Sequence, residues 1–395
     1  MYIQRKLKTA AEKARRGFPA VLITGPRQSG KTTFLQAEYG SESHYVSFDD
    51  PLQRAFAAED PNGFLDQFPE KPVILDEIQY VPELFPYLKM IIDADRSRNG
   101  KFLMTGSQQF HLMRNISESL AGRIAILELP PFCSSEYASI AMNWTIEEII
   151  WAGGYPDVVL NREQRDLWIS SYIRTYVERD IRHLQKIRDL GLFEQFLGLL
   201  AARNGSTLNL SDLSRATGLS VPGCKQWLHL LEAAYVVYLL PPFYNHFGKR
   251  LVKAPKILFW DSSIASYLSR QPSPQGMWHG AMGGAFFESW VIMDVCKRLL
   301  SHGLRPDLYY WRSRDGLELD LIIVLQGRIF PVEIKQTATP GIKHMQGLNR
   351  FRKIAGHNCE PGTLVCTVDA VQAMPDGNKA MGWRTFGKWL ESEMA

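Results

Sequence analysis

Eight consecutive residues constrain this chain most. They are Gly25-Pro26-Arg27-Gln28-Ser29-Gly30-Lys31-Thr32, set between an apolar run at 20–24 and a helix-like stretch at 31–38. The glycines let the backbone curl so that its N–H groups point inward, an arrangement that cradles phosphate oxygens. The start of the following helix adds the positive end of its dipole. Lys31 is placed to reach the β- and γ-phosphates of a bound nucleotide, and the Thr32 hydroxyl to ligate Mg2+. Pro26, Arg27, Gln28, Ser29 and Thr33 complete the expected set of ATP contacts. A strand before the loop and a helix after it separate this reading from a plain glycine-rich turn.

A second motif supplies the partner. The apolar run 73–75 ends in Asp76 and Glu77. Asp76 is expected to hold Mg2+ through water. Glu77 is expected to polarise the attacking water, which separates an ATPase from a nucleotide binder. A further apolar run, 44–48, falls between the two motifs, which fits the P-loop branch that carries its own catalytic glutamate. The run 101–105 leads into Gly106-Ser107-Gln108, and a polar side chain at such a strand end senses the γ-phosphate. Ser107 is the first choice and Thr105 the second. Arg123, in Leu120-Ala121-Gly122-Arg123, either reaches phosphate in the same or a neighbouring subunit or serves a structural ion pair.

These runs, with 123–129, alternate with helix-like stretches at 31–38 and 83–94, which predicts a parallel sheet covered on both faces. From 145 to about 202 the pattern is helical, broken once at Gly153-Gly154-Tyr155-Pro156. The charges near 167–188 (Arg174, Glu178, Arg179, Asp180, Arg182) read as a solvated face. A helix from Ser211, a turn at 217–220, a second helix at 222–234 and a strand at 235–240 have the form of a winged helix-turn-helix. Lys225, Gln226 and His229 lie on its second helix, with Trp227, Leu230 and Leu231 as core, and Lys249, Arg250 and Lys253 follow where a wing would lie. Such a helix contacts either DNA or protein, and the basic residues tilt the reading toward DNA. The stretch 271–284, rich in proline and glycine, is expected to be a linker. The last third reads as helix 285–300, strands 308–312, 318–325 and 328–335, helix 345–355 and strand 362–368. Four domains are expected: 1–144, 145–204, 205–270 and 283–395.

The strings at 24–33, 75–79, 105–108, 119–123, 153–156, 176–181 and 248–253 resemble those of a prokaryotic AAA-type ATPase family, over nearly the whole chain. Its members join a P-loop domain to a further C-terminal region. The resemblance implies the ATPase fold, with ATP and Mg2+ as cofactors. In the last third, Glu288 on an apolar helix, Asp320 on a strand and then Glu333-Ile334-Lys335 resemble the restriction-endonuclease-like superfamily. In such a set the carboxylates hold one or two divalent metals and the lysine stabilises charge. Strand alternation puts Glu333 and Lys335 on one face, with Gln336 beside them. The resemblance implies Mg2+ or Mn2+ on Glu288, Asp320 and Glu333, with Asp320, Glu333 and Lys335 catalytic. The alternative is a binding-only relic in which Glu333 and Lys335 form a salt bridge.

Composition excludes several classes. With 395 residues, 45% hydrophobic and 22% charged, the chain is ordinary globular protein and long enough for more than one core. A net charge of +4 does not by itself argue for nucleic acid. Five cysteines without a C-x-x-C pair read as reduced thiols, not a disulfide framework or zinc knuckle. Residues 1–16 are basic but have no apolar core, so they are not a signal peptide. The longest apolar run, 235–243, is too short to span a bilayer and carries two prolines. The expectation is a cytoplasmic α/β protein, off the membrane: a P-loop sheet with a helical lid, a winged helix and a second α/β domain. It is expected to form a homo-oligomer and to drive work on DNA with ATP. The alternative is a nucleotide-dependent switch or scaffold with an inactive nuclease fold that binds protein partners.

Overall fold

The computed structural model describes residues 1–106, 119–177, 190–243 and 254–394. They form two compact units, Met1–Tyr137 with Leu299–Leu304, and Ala138–Arg298 with Arg305–Ala395.

The first unit is built on five strands: β1 (Ala20–Thr24), β2 (His44–Ser47), β3 (Val73–Asp76), β4 (Phe102–Thr105) and β5 (Ile124–Glu128). Their order is β2-β3-β4-β1-β5, and every neighbouring pair is parallel. Burial on both faces explains why β1, β3 and β4 read as unbroken apolar runs. Alternation divides their side chains between two cores. Ala20, Leu22, Val73, Leu75, Phe102 and Met104 join one, which takes Ala57 of α3 (Pro51–Glu59), Phe64 of α4 (Pro61–Leu65), and Phe85, Leu88 and Ile92 of α5 (Leu84–Ala94). Val21, Ile23, Ile74 and Leu103 join the other, with Ala11 and Ala14 of α1 (Lys8–Gly17) and Phe34, Leu35 and Tyr39 of α2 (Lys31–Tyr39). The phosphate loop, Asp76–Glu77 and Thr105 all follow the carboxyl ends of parallel strands, the edge at which open α/β sheets bind ligands.

The second unit opens with the helix Ile146–Ala152, started by a capping box between Thr145 and Glu148. Further along, Asn209 caps the helix Leu210–Thr217, accepting from Asp212 N. Gly218 turns the chain, and Ser220 caps the helix Val221–Ala233. An antiparallel pair follows, β6 (Val237–Leu240) and β7 (Lys256–Phe259). The stretch read as a linker contains the helix Pro274–His279, capped by Ser273. Its proline sits in the first turn, where no intrahelical N–H is needed, so it starts a helix instead of breaking one. Six strands close the unit in the order β12-β13-β11-β10-β9-β8: β8 (Leu308–Arg312), β9 (Glu318–Leu325), β10 (Arg328–Ile334), β11 (Thr363–Cys366), β12 (Gln372–Ala373) and β13 (Lys379–Gly382). β8, β9 and β10 are antiparallel neighbours, whereas β10, β11 and β13 run parallel. No helix among the described residues is long and apolar enough to cross a membrane.

Candidate nucleotide site and a second carboxylate cluster

The loop after β1 has the backbone its glycines predict. Gly25 has φ 136°, and a Cβ there would lie 2.4 Å from the Leu129 carbonyl oxygen, so only glycine fits. Gly30, with φ 90°, turns the chain into α2 at its N-cap. Lys31 is buried, and its Nζ donates to the carbonyls of Gly25 (3.2 Å) and Pro26 (2.8 Å). Burial lowers its pKa to about 8, against the opposing pull of Glu77 and Asp76. Pro26 and Ser29 are buried, Arg27 and Thr32 half-buried, and Gln28 and Thr33 exposed.

Asp76 ends β3 and gathers hydroxyl donors. Thr32 Oγ1 donates to its Oδ1 at 2.7 Å and Thr105 Oγ1 at 2.6 Å, while Tyr45 OH reaches Oδ2 at 3.0 Å and Ser47 Oγ at 3.5 Å. Burial, and then the charge of Asp76, raises the Tyr45 phenol to about 12. Every one of these partners is neutral. A carboxylate beside a threonine hydroxyl is an oxygen donor set suited to a hard divalent cation, so Thr32 and Asp76 fit Mg2+. Thr105 also accepts from Glu77 N at 2.9 Å, so it holds both acidic residues in register. Glu77 has φ 56°, a costly conformation for a residue with a side chain, and its carboxylate accepts from Gln79 Nε2.

Two further residues brace this site and were not singled out in the sequence. Arg5 is buried and donates to the loop carbonyl of Ser29 (2.8 Å) and to that of Pro130 (2.6 Å). Its Nε pairs with Glu136 at 2.9 Å. Tyr45 is the other. Neither belongs to a motif, because each works through partners distant in sequence.

Arg123 is placed otherwise than a phosphate-contacting residue of the same chain. It forms a two-pronged pair with Asp93, Nε to Oδ1 and Nη2 to Oδ2, both 2.8 Å. In the register of β1 and β5, Ala20 faces Ile124 and Thr24 faces Glu128, so Arg123 lies at the end of the sheet away from the loop. The ion-pair alternative is the one that this chain displays. Ser107, and Lys249, Arg250 and Lys253, lie outside the described residues.

In the second unit Glu288, Asp320, Glu333 and Lys335 do come together, with two additions, Lys256 and Glu318. Lys335 Nζ lies 2.7 Å from both Asp320 Oδ2 and Glu333 Oε1. Ile334 N donates to Asp320 Oδ2 at 2.9 Å. Lys256 Nζ lies 2.7 Å from Glu288 Oε1 and 2.5 Å from Glu318 Oε1. Gln336 turns away and donates to the Trp278 carbonyl at 2.8 Å. Burial, then the charge of Asp320, raises Glu288 to about 7 and Glu333 to about 8, and the nearby lysines only partly offset this. Both lysines are held protonated, since the carboxylates outweigh burial. Among the described residues no group of three or more His, Cys, Asp or Glu is placed to hold a metal ion. The expected metal set of Glu288, Asp320 and Glu333 therefore does not fit a divalent cation as arranged. Ammonium groups stand between the carboxylates, and no cleavage step follows from the geometry.

Three family models match successive parts of the chain: an AAA domain at residues 17–138, a domain of unknown function (DUF8612) at 143–275 and another (DUF4143) at 283–386. Two similar proteins are the uncharacterized proteins Rv2008c of Mycobacterium tuberculosis and Mb2031c of Mycobacterium bovis. Each is 32% identical over 350 residues, covering 87% of this chain and 76% of the relative. Among solved structures, the Walker-type ATPase PABY2304 of Pyrococcus abyssi is 15% identical with a TM-score of 0.46, over 68% of this chain and 96% of that one. The RuvB Holliday junction branch migration motor of Thermotoga maritima is 21% identical with a TM-score of 0.30, over 60% and 88%.

Proposed function

Because the chain belongs to the family of Rv2008c and Mb2031c and carries an AAA-type P-loop ATPase domain, we propose that it binds and hydrolyses ATP on the loop 25–32 and uses the cycle to act on DNA. The observation that carries the ATPase half is the meeting of Thr32 and Asp76 at 2.7 Å, with Glu77 next along the chain. The loop N–H groups and Lys31 bind the phosphates, with Gly25, Pro26, Arg27, Gln28, Ser29, Gly30 and Thr33 around them. Thr32, and Asp76 through water, would hold Mg2+, which would supply positive charge against the phosphates. Glu77 takes the proton of the attacking water. Thr105 keeps Glu77 beside Asp76.

Glu77→Gln tests this half. It removes the base and keeps the shape, so ATP turnover falls by about 10²–10⁴-fold while ATP binding persists. Turnover unchanged in that variant removes Glu77 from the chemistry.

The DNA half is supported by the helix Val221–Ala233. Its exposed face carries Lys225, Gln226 and His229, while Trp227, Leu228 and Leu231 are buried. Leu230, expected as core, is half-buried. With the preceding helix and the β6–β7 pair this supports a winged helix that enters a major groove. Duplex DNA binding by fluorescence anisotropy, weakened several-fold in Lys225→Glu and steeply salt-dependent, checks it. Binding unaffected by the substitution, or no binding, favours the second reading: a nucleotide-dependent scaffold for protein partners with an inactive nuclease fold. The lysines among the C-terminal carboxylates support that reading.

A further inference from the structure

Lys256 lies far in sequence from the carboxylates it meets. Its ammonium approaches Glu288 at 2.7 Å and Glu318 at 2.5 Å, and stands 3.9 Å from Asp320 Oδ1. Its side chain is only 4% exposed. One helix and one strand thus aim three carboxylates at one buried cation. A metal shared by Glu288 and Asp320 needs this same space, because its ligand oxygens must lie about 2.0–2.6 Å away.

The backbone fixes where the Lys256 side chain starts. Lys256 pairs with Leu240 of β6 on one side and with Thr207 on the other. Leu208 N donates to the Pro255 carbonyl at 2.8 Å, and Tyr310 OH to the Ala254 carbonyl at 2.6 Å. The Tyr310 ring centre lies 5.5 Å from the ammonium. With its Cα fixed by this pairing, the side chain reaches the carboxylates from one direction, and its burial leaves the ammonium no solvent to withdraw into without giving up both short ion pairs. A divalent ion entering beside it meets like charge at short range with little water to screen it.

We infer that Lys256 is a tethered cation that takes the place of a divalent metal among Glu288, Glu318 and Asp320, so that this carboxylate cluster binds no metal in the native chain. Lys335, whose side chain is more open to solvent, pairs with Asp320 and Glu333 beside it. The cluster is then an ion-paired joint between β7, the helix Gly283–Ser301 and β9, and one substitution opens it to metal.

The test uses the full chain, free of nucleotide, titrated with Mn2+ by calorimetry. Wild type shows no Mn2+ binding that depends on Asp320. Lys256→Met, which keeps the stem and removes the charge, gains one Mn2+ site per chain, at least about tenfold tighter than any Mn2+ uptake by wild type. Adding Asp320→Asn to that variant abolishes the gain, whereas weak Mn2+ binding at Thr32 and Asp76 is indifferent to it. Lys256→Met also melts at a lower temperature than wild type, and Mn2+ restores the difference, which a merely structural loss does not allow. Lys256→Arg keeps the charge and stays metal-free. A folded Lys256→Met that gains no site overturns the inference. So does Mn2+ binding to wild type that Asp320→Asn removes, a measurement that stands even if Lys256→Met fails to fold.

Discussion

Two acidic clusters in this chain use the same side chains and are balanced in opposite ways. Around Asp76 the partners are hydroxyls, from Thr32, Tyr45, Ser47 and Thr105. Around Asp320 they are ammonium groups, from Lys335 at 2.7 Å and Lys256 at 3.9 Å. A hydroxyl carries no charge and can turn to offer its oxygen, so the first cluster keeps a negative charge for a cation to meet. The second already holds two ammonium groups in the space between its four carboxylates. Donor identity alone therefore does not make a metal site; what decides is whether cationic side chains already occupy the space between the donors.

The contrast is broken most sharply by removing a neighbour. Lys256→Ala leaves the half-buried Glu288 and Glu318 without their cation, a loss of about 2–3 kcal/mol, below the roughly 3–5 kcal/mol seen when one partner of a fully buried pair is deleted. Denaturant unfolding measures it, and a loss below about 1 kcal/mol places the ammonium in solvent. At the first cluster the expected cost is smaller. Thr105→Val takes one of two hydroxyl donors from Asp76 Oδ1 and leaves Glu77 N without its acceptor, for about 1–3 kcal/mol. ATP turnover falls about tenfold as Glu77 loses its register, and a full rate in Thr105→Val removes Thr105 from the site. Arg5→Lys keeps the charge but not the fork that spans Ser29 and Glu136. It raises KM for ATP several-fold and spares kcat. A fall in kcat alone contradicts a role in shaping the loop.

The smallest effect belongs to Arg123→Ala. The pair with Asp93 is largely solvated, so turnover in dilute protein stays within about twofold of wild type. Arg123, with Arg96 after it, holds the Asp93 carboxyl from its ordinary 3.8 down to about 2. The folded value is the lower one, so the pair's contribution is present above 3.8 and is lost as pH falls through about 2. The melting difference between variant and wild type narrows across that window. A turnover loss that appears only at high protein concentration instead supports a neighbouring subunit as the partner of Arg123.

Local spacing made the first cluster legible. The loop at 25–32 and the Asp76–Glu77 strand end are strings a few residues long, each with one physical reason, and the apolar runs around them gave the five strands. β12 and β13 lie beyond the last element read from the sequence, 362–368, and neither carries an unbroken apolar run to mark it. The helix Pro274–His279 was missed because proline and glycine were read as breakers. The balance of charge at the second cluster was not legible. Asp320 and Glu333 follow one another along a hairpin, but Lys256 reaches Glu288, Glu318 and Asp320 only through the pairing of β7, and no periodicity marks it. Thr105 stood as second choice to Ser107 because a sensing side chain was sought, whereas its role in the described residues is to bind Asp76 and Glu77 together.

The most direct test of the account is Mg2+-dependent ATP turnover by the full chain beside Lys31→Ala and Asp320→Ala. The account predicts a loss of at least about 100-fold in Lys31→Ala, as for other groups that stabilise transition-state charge, and a rate near wild type in a folded Asp320→Ala. Undiminished turnover in Lys31→Ala contradicts the placement of ATP chemistry on the loop after β1.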